Sequence, residues 1–291
     1  MGKKLICATV IGTALVLIVA ASALGKREVA YVGNLFLADN GGVLPSKLPR
    51  HEQAPVSAYI SGEIGTVDGT HPPAVKTIKL DIDKTIQVDA KGLPVCRYGQ
   101  LTNRPTAAAK GACPHAIVGS GNGAVEVAFP DQKPFTGMGQ IVAFNGGVHN
   151  GTTLLLFHAY VSIPAPTAVV IKTKISRIHS GHYGLRTLTQ IPPLAAGDGS
   201  ATKFKFTLGR RFTYRGVKKS YLTASCPTGH YYARGRVLFS DGTFWGIPTF
   251  CPAPPRGSAG ARRALTRRPA RNAPAWRRDQ RRTGCPPLPV S

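Results

Sequence analysis

The sequence predicts an all-β fold, a two-sheet antiparallel sandwich with a barrel as the alternative, carrying one short helix near residues 106–112. Three observations carry this. From Ala54 onward, short runs rich in Val, Ile, Thr, Tyr and Phe are broken by Gly, Pro, Asn or Asp, the spacing of strands and turns. Apolar and charged residues alternate in Ile78-Lys79-Leu80-Asp81-Ile82-Asp83 and again in Lys203-Phe204-Lys205-Phe206, the period of a half-buried strand. No strand-helix alternation appears, which argues against a doubly wound nucleotide-binding fold.

The elements follow in order. Lys3 and Lys4 precede an uncharged stretch that ends in Ala21-Ser22-Ala23, the small residues beside which a signal peptidase cuts. Residues 1–23 therefore read as a secretory signal peptide. A retained membrane anchor is the alternative, since about 20 apolar residues also span a bilayer. Residues 24–49 are weakly patterned and read as a linker or a loose first strand over 31–37. A single domain over 50–252 is expected to hold strands at 56–64, 78–83, 123–129, 139–144, 153–161, 168–178, 184–191, 203–206, 219–224, 234–239 and 243–250. Asn145-Gly146-Gly147, Arg215-Gly216 and Asp241-Gly242 read as hairpin turns, because Gly and Asn accept the positive φ such turns need. The helix begins at Thr106, where alanines follow Pro105 and a threonine able to cap. Residues 253–291 read as a disordered tail: from 256 onward there are ten arginines, no lysine and one acid, too little apolar material to offset ordering.

Charge and cysteines set the compartment and the partners. With 37 Lys+Arg against 13 Asp+Glu the formal net charge is +24, and chemistry that needs clustered carboxylates has little raw material. Export permits disulfides. Four cysteines lie in or beside the domain, allowing three connectivities. The local pairs Cys96 with Cys113 and Cys226 with Cys251 are expected, each closing a loop of about 15 to 25 residues, which by chain entropy stabilises by roughly 3 kcal/mol. No C-x-x-C spacing suggests zinc, so neither a metal nor another cofactor is expected.

Several segments resemble landmarks of a family of secreted β-rich proteins of unknown function from high-GC Gram-positive bacteria. They are Gly92-Leu93-Pro94-Val95-Cys96, the run from Cys113-Pro114-His115 to Gly119-Ser120-Gly121, Ala143-Phe144-Asn145-Gly146, Gly209-Arg210-Arg211-Phe212-Thr213-Tyr214-Arg215-Gly216, and Ser220-Tyr221-Leu222-Thr223-Ala224-Ser225-Cys226. The resemblance covers about 48–251 and implies export, one β domain and paired cysteines, with no assigned activity. The arginine-rich tail departs from that pattern.

Four motifs invite a chemical reading. Gly119-Ser120-Gly121-Asn122-Gly123 lacks the following helix of a phosphate loop and the glycine two residues before a nucleophilic serine, so it reads as a flexible turn. His179-Ser180-Gly181-His182 has no nearby carboxylate to orient a metal-binding ring and reads as a solvated turn. His158, in an apolar run, reads as a hydrogen-bonded sheet histidine. Asp81 and Asp83 share a strand face, as a glycosidase pair would, but read more simply as solvated acids interleaved with Lys79. The densest candidate is Arg210, Arg211, Arg215, Lys218 and Lys219 around Phe212, Tyr214 and Tyr221, cations and rings suited to an anionic ligand. Alternation points Arg211, Thr213 and Arg215 together, with Phe212 and Tyr214 toward the core. The sequence thus favours an exported non-catalytic module that is associated with the cell envelope or binds an anionic ligand, its expected partners being anionic envelope polymers or lipid head groups and no specific nucleic acid. The alternative is a hydrolase whose Ser, His and Asp residues converge only in space.

Overall fold

The computed structural model describes residues 28–162 and 165–247; the expected signal peptide, the tail and Cys251 lie outside them. Among the described residues, seventeen strands and one α-helix follow in chain order: β1 (Glu28–Val32), β2 (Leu35–Leu44), β3 (Ala54–Pro55), β4 (Ser57–Thr66), β5 (Val75–Asp83), β6 (Ile86–Val88), α1 (Thr106–Ala112), β7 (Ile117–Val127), β8 (Phe135–His149) and β9 (Thr152–Val161). Then come β10 (Thr167–Ser180), β11 (Tyr183–Gln190), β12 (Gly199–Leu208), β13 (Arg211–Tyr214), β14 (Val217–Ser220), β15 (Leu222–Ala224), β16 (Ala233–Phe239) and β17 (Phe244–Ile247).

Twelve of these strands form one antiparallel sheet in the order β1-β2-β4-β12-β7-β8-β9-β10-β11-β5-β16-β17. A sheet this wide curls, because each strand is twisted against its neighbour. Its two ends meet: Leu35, Leu37 and Ile64 from one end share an apolar cluster with Val237, Phe239 and Trp245 from the other. The all-β expectation holds, and of the two arrangements left open it is the barrel that describes the molecule. The barrel is nearly closed. Among the described residues no ladder joins β1 to β17, so side chains and not backbone hydrogen bonds span the seam.

A second apolar cluster fills one end of the barrel. Leu222 and Ala224, from the small sheet β3-β15-β6, pack with Tyr221 against Ala143, Leu155, Ile175, Leu185 and Phe206 of the barrel wall. A third cluster lies on the outer face, where Cys96, Leu101 and Ala109 cover Val142, Phe144, Leu156 and Val170. The Cys96–Cys113 disulfide, with Cα atoms 5.7 Å apart, holds this crossover and α1 on the sheet. His158 anchors the same crossover: its Nε2–H donates to the Arg104 carbonyl at 2.9 Å. Burial pushes its pKa below the ordinary histidine value, keeping the ring neutral.

The structure corrects several sequence readings. The stretch 31–37, read as one loose strand, is split by a turn at Gly33-Asn34 into β1 and β2, a hairpin paired over five residues and joined to β4. Pro105, not the threonine, takes the cap position of α1, and no side chain caps it. Asn145-Gly146-Gly147 is not a hairpin turn; it lies inside β8 at a register shift, and the chain reverses at Asn150-Gly151. Asn145 is fully buried there, donating from Nδ2 to the Pro94 carbonyl at 3.0 Å and accepting at Oδ1 from the Gly147 N–H at 3.1 Å. The strand thus uses its kink to hold the crossover loop.

The glycine run 119–123 is likewise no flexible turn but part of β7, paired on both sides. A Cβ at Gly121 would lie 2.7 Å from the Phe206 Cα, and one at Gly119 would lie 2.8 Å from the Phe206 Cζ. Alternate glycines therefore let β7 and β12 approach and leave room inside for the Phe206 ring, which meets Phe157 edge-on at 5.1 Å.

Candidate functional site

The predicted turn at Arg215-Gly216 is present, with φ of 50° and 77°, and closes the β13–β14 hairpin. Its register pairs Arg211 with Ser220, Phe212 with Lys219, and Thr213 with Lys218. Paired residues share a face, so the five basic candidates separate. Arg211 and Lys218 stand on one face with Thr213. Lys219 stands on the opposite face with the half-buried Phe212 and Tyr214, and its Nζ bonds Asp89 Oδ2 at 2.8 Å. Burial works against that carboxylate, but the Lys219 ammonium and the Lys91 N–H hold its pKa below the usual range. Arg215 lies 5.3 Å from the Tyr214 ring centroid, and Arg210 donates from Nη1 to the Ile117 carbonyl at 2.7 Å. Lys219 is therefore neutralised, and Arg210 is fixed in place with donors left over.

Beneath the Arg211 face lies a polar cleft of about 260 Å³, between Val56-Ser57 at the start of β4, Gly209-Arg210-Arg211 and Ser220. Gly209 lets the two walls come together, since a Cβ there would lie 2.9 Å from the Ser57 Cα. Ser220 is 4% exposed, and its buried hydroxyl has no hydrogen-bond partner among the described residues. A buried hydroxyl without a protein partner costs about 1–3 kcal/mol. Arg210, Arg211 and Ser220 line it together, donor-bearing residues of the kind an oxyanion takes.

Asp81 and Asp83 are not solvated acids: they are 5% and 4% exposed. The reason lies across the strands. Arg186 of β11 and Arg234 of β16 are the register neighbours of Asp81 on either side. Arg186 donates from Nε at 2.7 Å and from Nη2 at 2.9 Å, and Arg234 donates from Nε at 3.0 Å. Arg186 first, and Arg234 with it, hold the Asp81 pKa below the usual carboxylate range despite burial. Asp83 accepts from the Thr85 and Tyr232 N–H groups at 2.8 and 3.1 Å, ordering the turn after β5. Both carboxylates are engaged by protein donors. The His179 to His182 segment spans the end of β10 and the Gly181-His182 turn into β11, where both histidines are exposed and the His182 ring stacks on Tyr232 at 4.2 Å.

One constellation was not legible in the sequence. His71, in the loop between β4 and β5, has Nδ1 2.9 Å from Glu126 Oε1 and Nε2 3.1 Å from Ser200 Oγ. Glu126 and Ser200 are register partners on β7 and β12. Ser200 is 1% exposed, and its hydroxyl donates to the Pro72 carbonyl at 2.5 Å. The three residues lie 55 and 74 positions apart in a sequence with no surrounding motif, so only strand pairing brings them together. By contrast Ser120, the serine singled out from the sequence, is exposed on β7.

No helix among the described residues is long and apolar enough to cross a membrane. No family model, no curated protein and no solved structure matches the chain.

Proposed function

We propose that this chain is an exported, non-catalytic β-barrel module that binds an anionic group of the cell envelope, a polymer phosphate or carboxylate or a lipid head group, in the cleft at Arg210, Arg211 and Ser220. The observation that carries the reading is that Arg210, Arg211 and Ser220 line one cleft, the Ser220 hydroxyl having no partner among the described residues. Export is supported by the Lys3-Lys4 and Ala21-Ser22-Ala23 pattern and by the Cys96–Cys113 disulfide, a bond that persists in oxidising compartments. The test is calorimetric titration of the full chain with inorganic phosphate, before and after Arg211→Gln together with Ser220→Ala. Hydrogen bonds to a charged group contribute about 1.5–3 kcal/mol each, so the double variant should bind at least about tenfold more weakly. Equal binding by parent and variant, or no binding by the parent, sinks the cleft as the site.

A second reading, a hydrolase, has one observation in its favour: the Glu126–His71–Ser200 chain has the hydrogen-bond order of a charge-stabilised nucleophile. Against it stand the burial of Ser200 and the commitment of its proton to Pro72. As a tie, the same chain fastens the β4–β5 loop to β7 and β12. A fluorophosphonate probe separates the two: a label on Ser200, lost in His71→Ala, supports the hydrolase. An unlabelled protein in which Ser200→Ala merely lowers the melting temperature supports the tie.

A further inference from the structure

Away from the cleft, the outer face of β10, β11, β5 and β16 carries a second concentration of positive charge. The register places Lys174, Leu188, Lys79 and Arg236 in one row across the four strands. The row on one side is Ser176, Arg186, Asp81 and Arg234, and the row on the other is Lys172, Gln190, Thr77 and Leu238. Six cations thus share this face with one carboxylate, and Asp81 is already engaged by Arg186 and Arg234. Lys172, Lys174, Lys79 and Arg236 have no carboxylate partner among the described residues. Two of them rest on rings instead, Lys172 4.1 Å from the Tyr98 centroid and Arg236 5.2 Å from that of Phe244.

This concentration opposes folding, since like charges on one small face repel. Scattered surface lysines would be expected to sit among acids; these do not. We propose that the face is a docking surface for a linear polyanion lying across the strands, a chain of phosphate or sulfate esters. Strands are about 4.8 Å apart, so the cations of the central row recur over roughly 15 Å, a span that one small anion cannot cover. The outside of a barrel is convex, so a flat lipid surface would meet little more than one row, whereas a flexible chain can follow the curve. Asp81 then acts as a brace that holds two guanidinium groups in fixed positions, each with donors remaining for the polymer.

The surface is distinct from the cleft, and its test is site-resolved because the ten arginines from 256 to 291 would by themselves retain a polyanion. Lysine acetylation of the full chain is measured by mass spectrometry alone, with long-chain polyphosphate, with heparin, with inorganic phosphate, and with anionic vesicles. Polyphosphate or heparin should suppress modification of Lys79 and Lys174 several-fold relative to Lys205 on β12, and inorganic phosphate should not. Which polymer protects better distinguishes phosphate from sulfate esters. In Lys79→Gln, Lys174→Gln, Arg236→Gln, the polymer concentration that half-protects Lys172 should rise about tenfold and its dependence on salt should flatten, as expected for roughly three lost charge contacts. The cleft variant should leave the footprint unchanged, so failure of one site does not imply failure of the other. Unaltered reactivity of Lys79 and Lys174 with both polymers, or protection by vesicles alone, overturns the proposal.

Discussion

Gly121→Ala should lower the melting temperature by on the order of 5–10 °C, while the neighbouring Ser120→Ala should leave it nearly unchanged. The contrast follows from the geometry of β7. A methyl group at Gly121 meets backbone, the Lys205 carbonyl oxygen and the Phe206 Cα, which cannot rotate out of the way as a side-chain tip could. Forcing atoms into a well-packed site costs about 1–3 kcal/mol, and contact with a paired strand places this substitution at the upper end. Each kcal/mol moves the transition of a domain this size by about 2–4 °C. Ser120 points outward and is exposed, so its loss falls within the roughly 0.5 kcal/mol of ordinary surface changes. Thermal unfolding followed by circular dichroism decides the matter. If the two variants melt together at the parent temperature, the segment is the flexible turn that its composition suggests.

Removing the Cys96–Cys113 bond by the paired change Cys96→Ala, Cys113→Ala should cost about 3 kcal/mol, the chain-entropy value for a loop of this length, with a drop in melting temperature near 10 °C. The loss should be uneven. The crossover from 96 to 113 covers Phe144, Leu156 and Val142 on the outer sheet face, and its other ties include the Cys96 N–H to the Asn145 carbonyl, the His158 ring to Arg104, Lys110 to Gln140, Lys172 over the Tyr98 ring, and the packing of Leu101 and Ala109. Proteolysis within 97–112 should therefore accelerate more than global unfolding explains, and a reductant should reproduce both effects in the parent. A variant with the parental melting curve and protease resistance would show that packing alone holds the crossover.

How much of this was legible in the sequence depends on how far each feature reaches along the chain. Local signals held: the alternation at 78–83, the turn at Arg215-Gly216, the helix after Pro105 and the seventeen-residue disulfide loop all appear where expected. Features set by a distant partner did not. Alternation placed Asp81 and Asp83 on one face, but what covers that face comes from Arg186 and Arg234, 105 and 153 residues later. Glycines at 119 and 121 read as freedom because their purpose, space for Phe206, lies across a strand pair. Lys219 looked like part of a basic cluster until the register set it beside Phe212 and Asp89. Of the candidate site, Arg210 and Arg211 were visible as residues, whereas the burial of the Ser220 hydroxyl in the same cleft was not.

The seam between the sheet's two ends also fixes an order of events during biosynthesis. Leu35 and Leu37 are among the first residues of the barrel to be made, yet the side chain that covers them, Trp245, follows more than two hundred residues later. No early fragment can bury that surface. A chain of such non-local contacts pays its loop-closure entropy late and folds slowly. While the chain is still being made, β2 and β4 lack the side chains of β16 and β17 that complete their apolar cluster. Trp245, on the last of the described strands, is the latch, and the closure of the barrel waits for it.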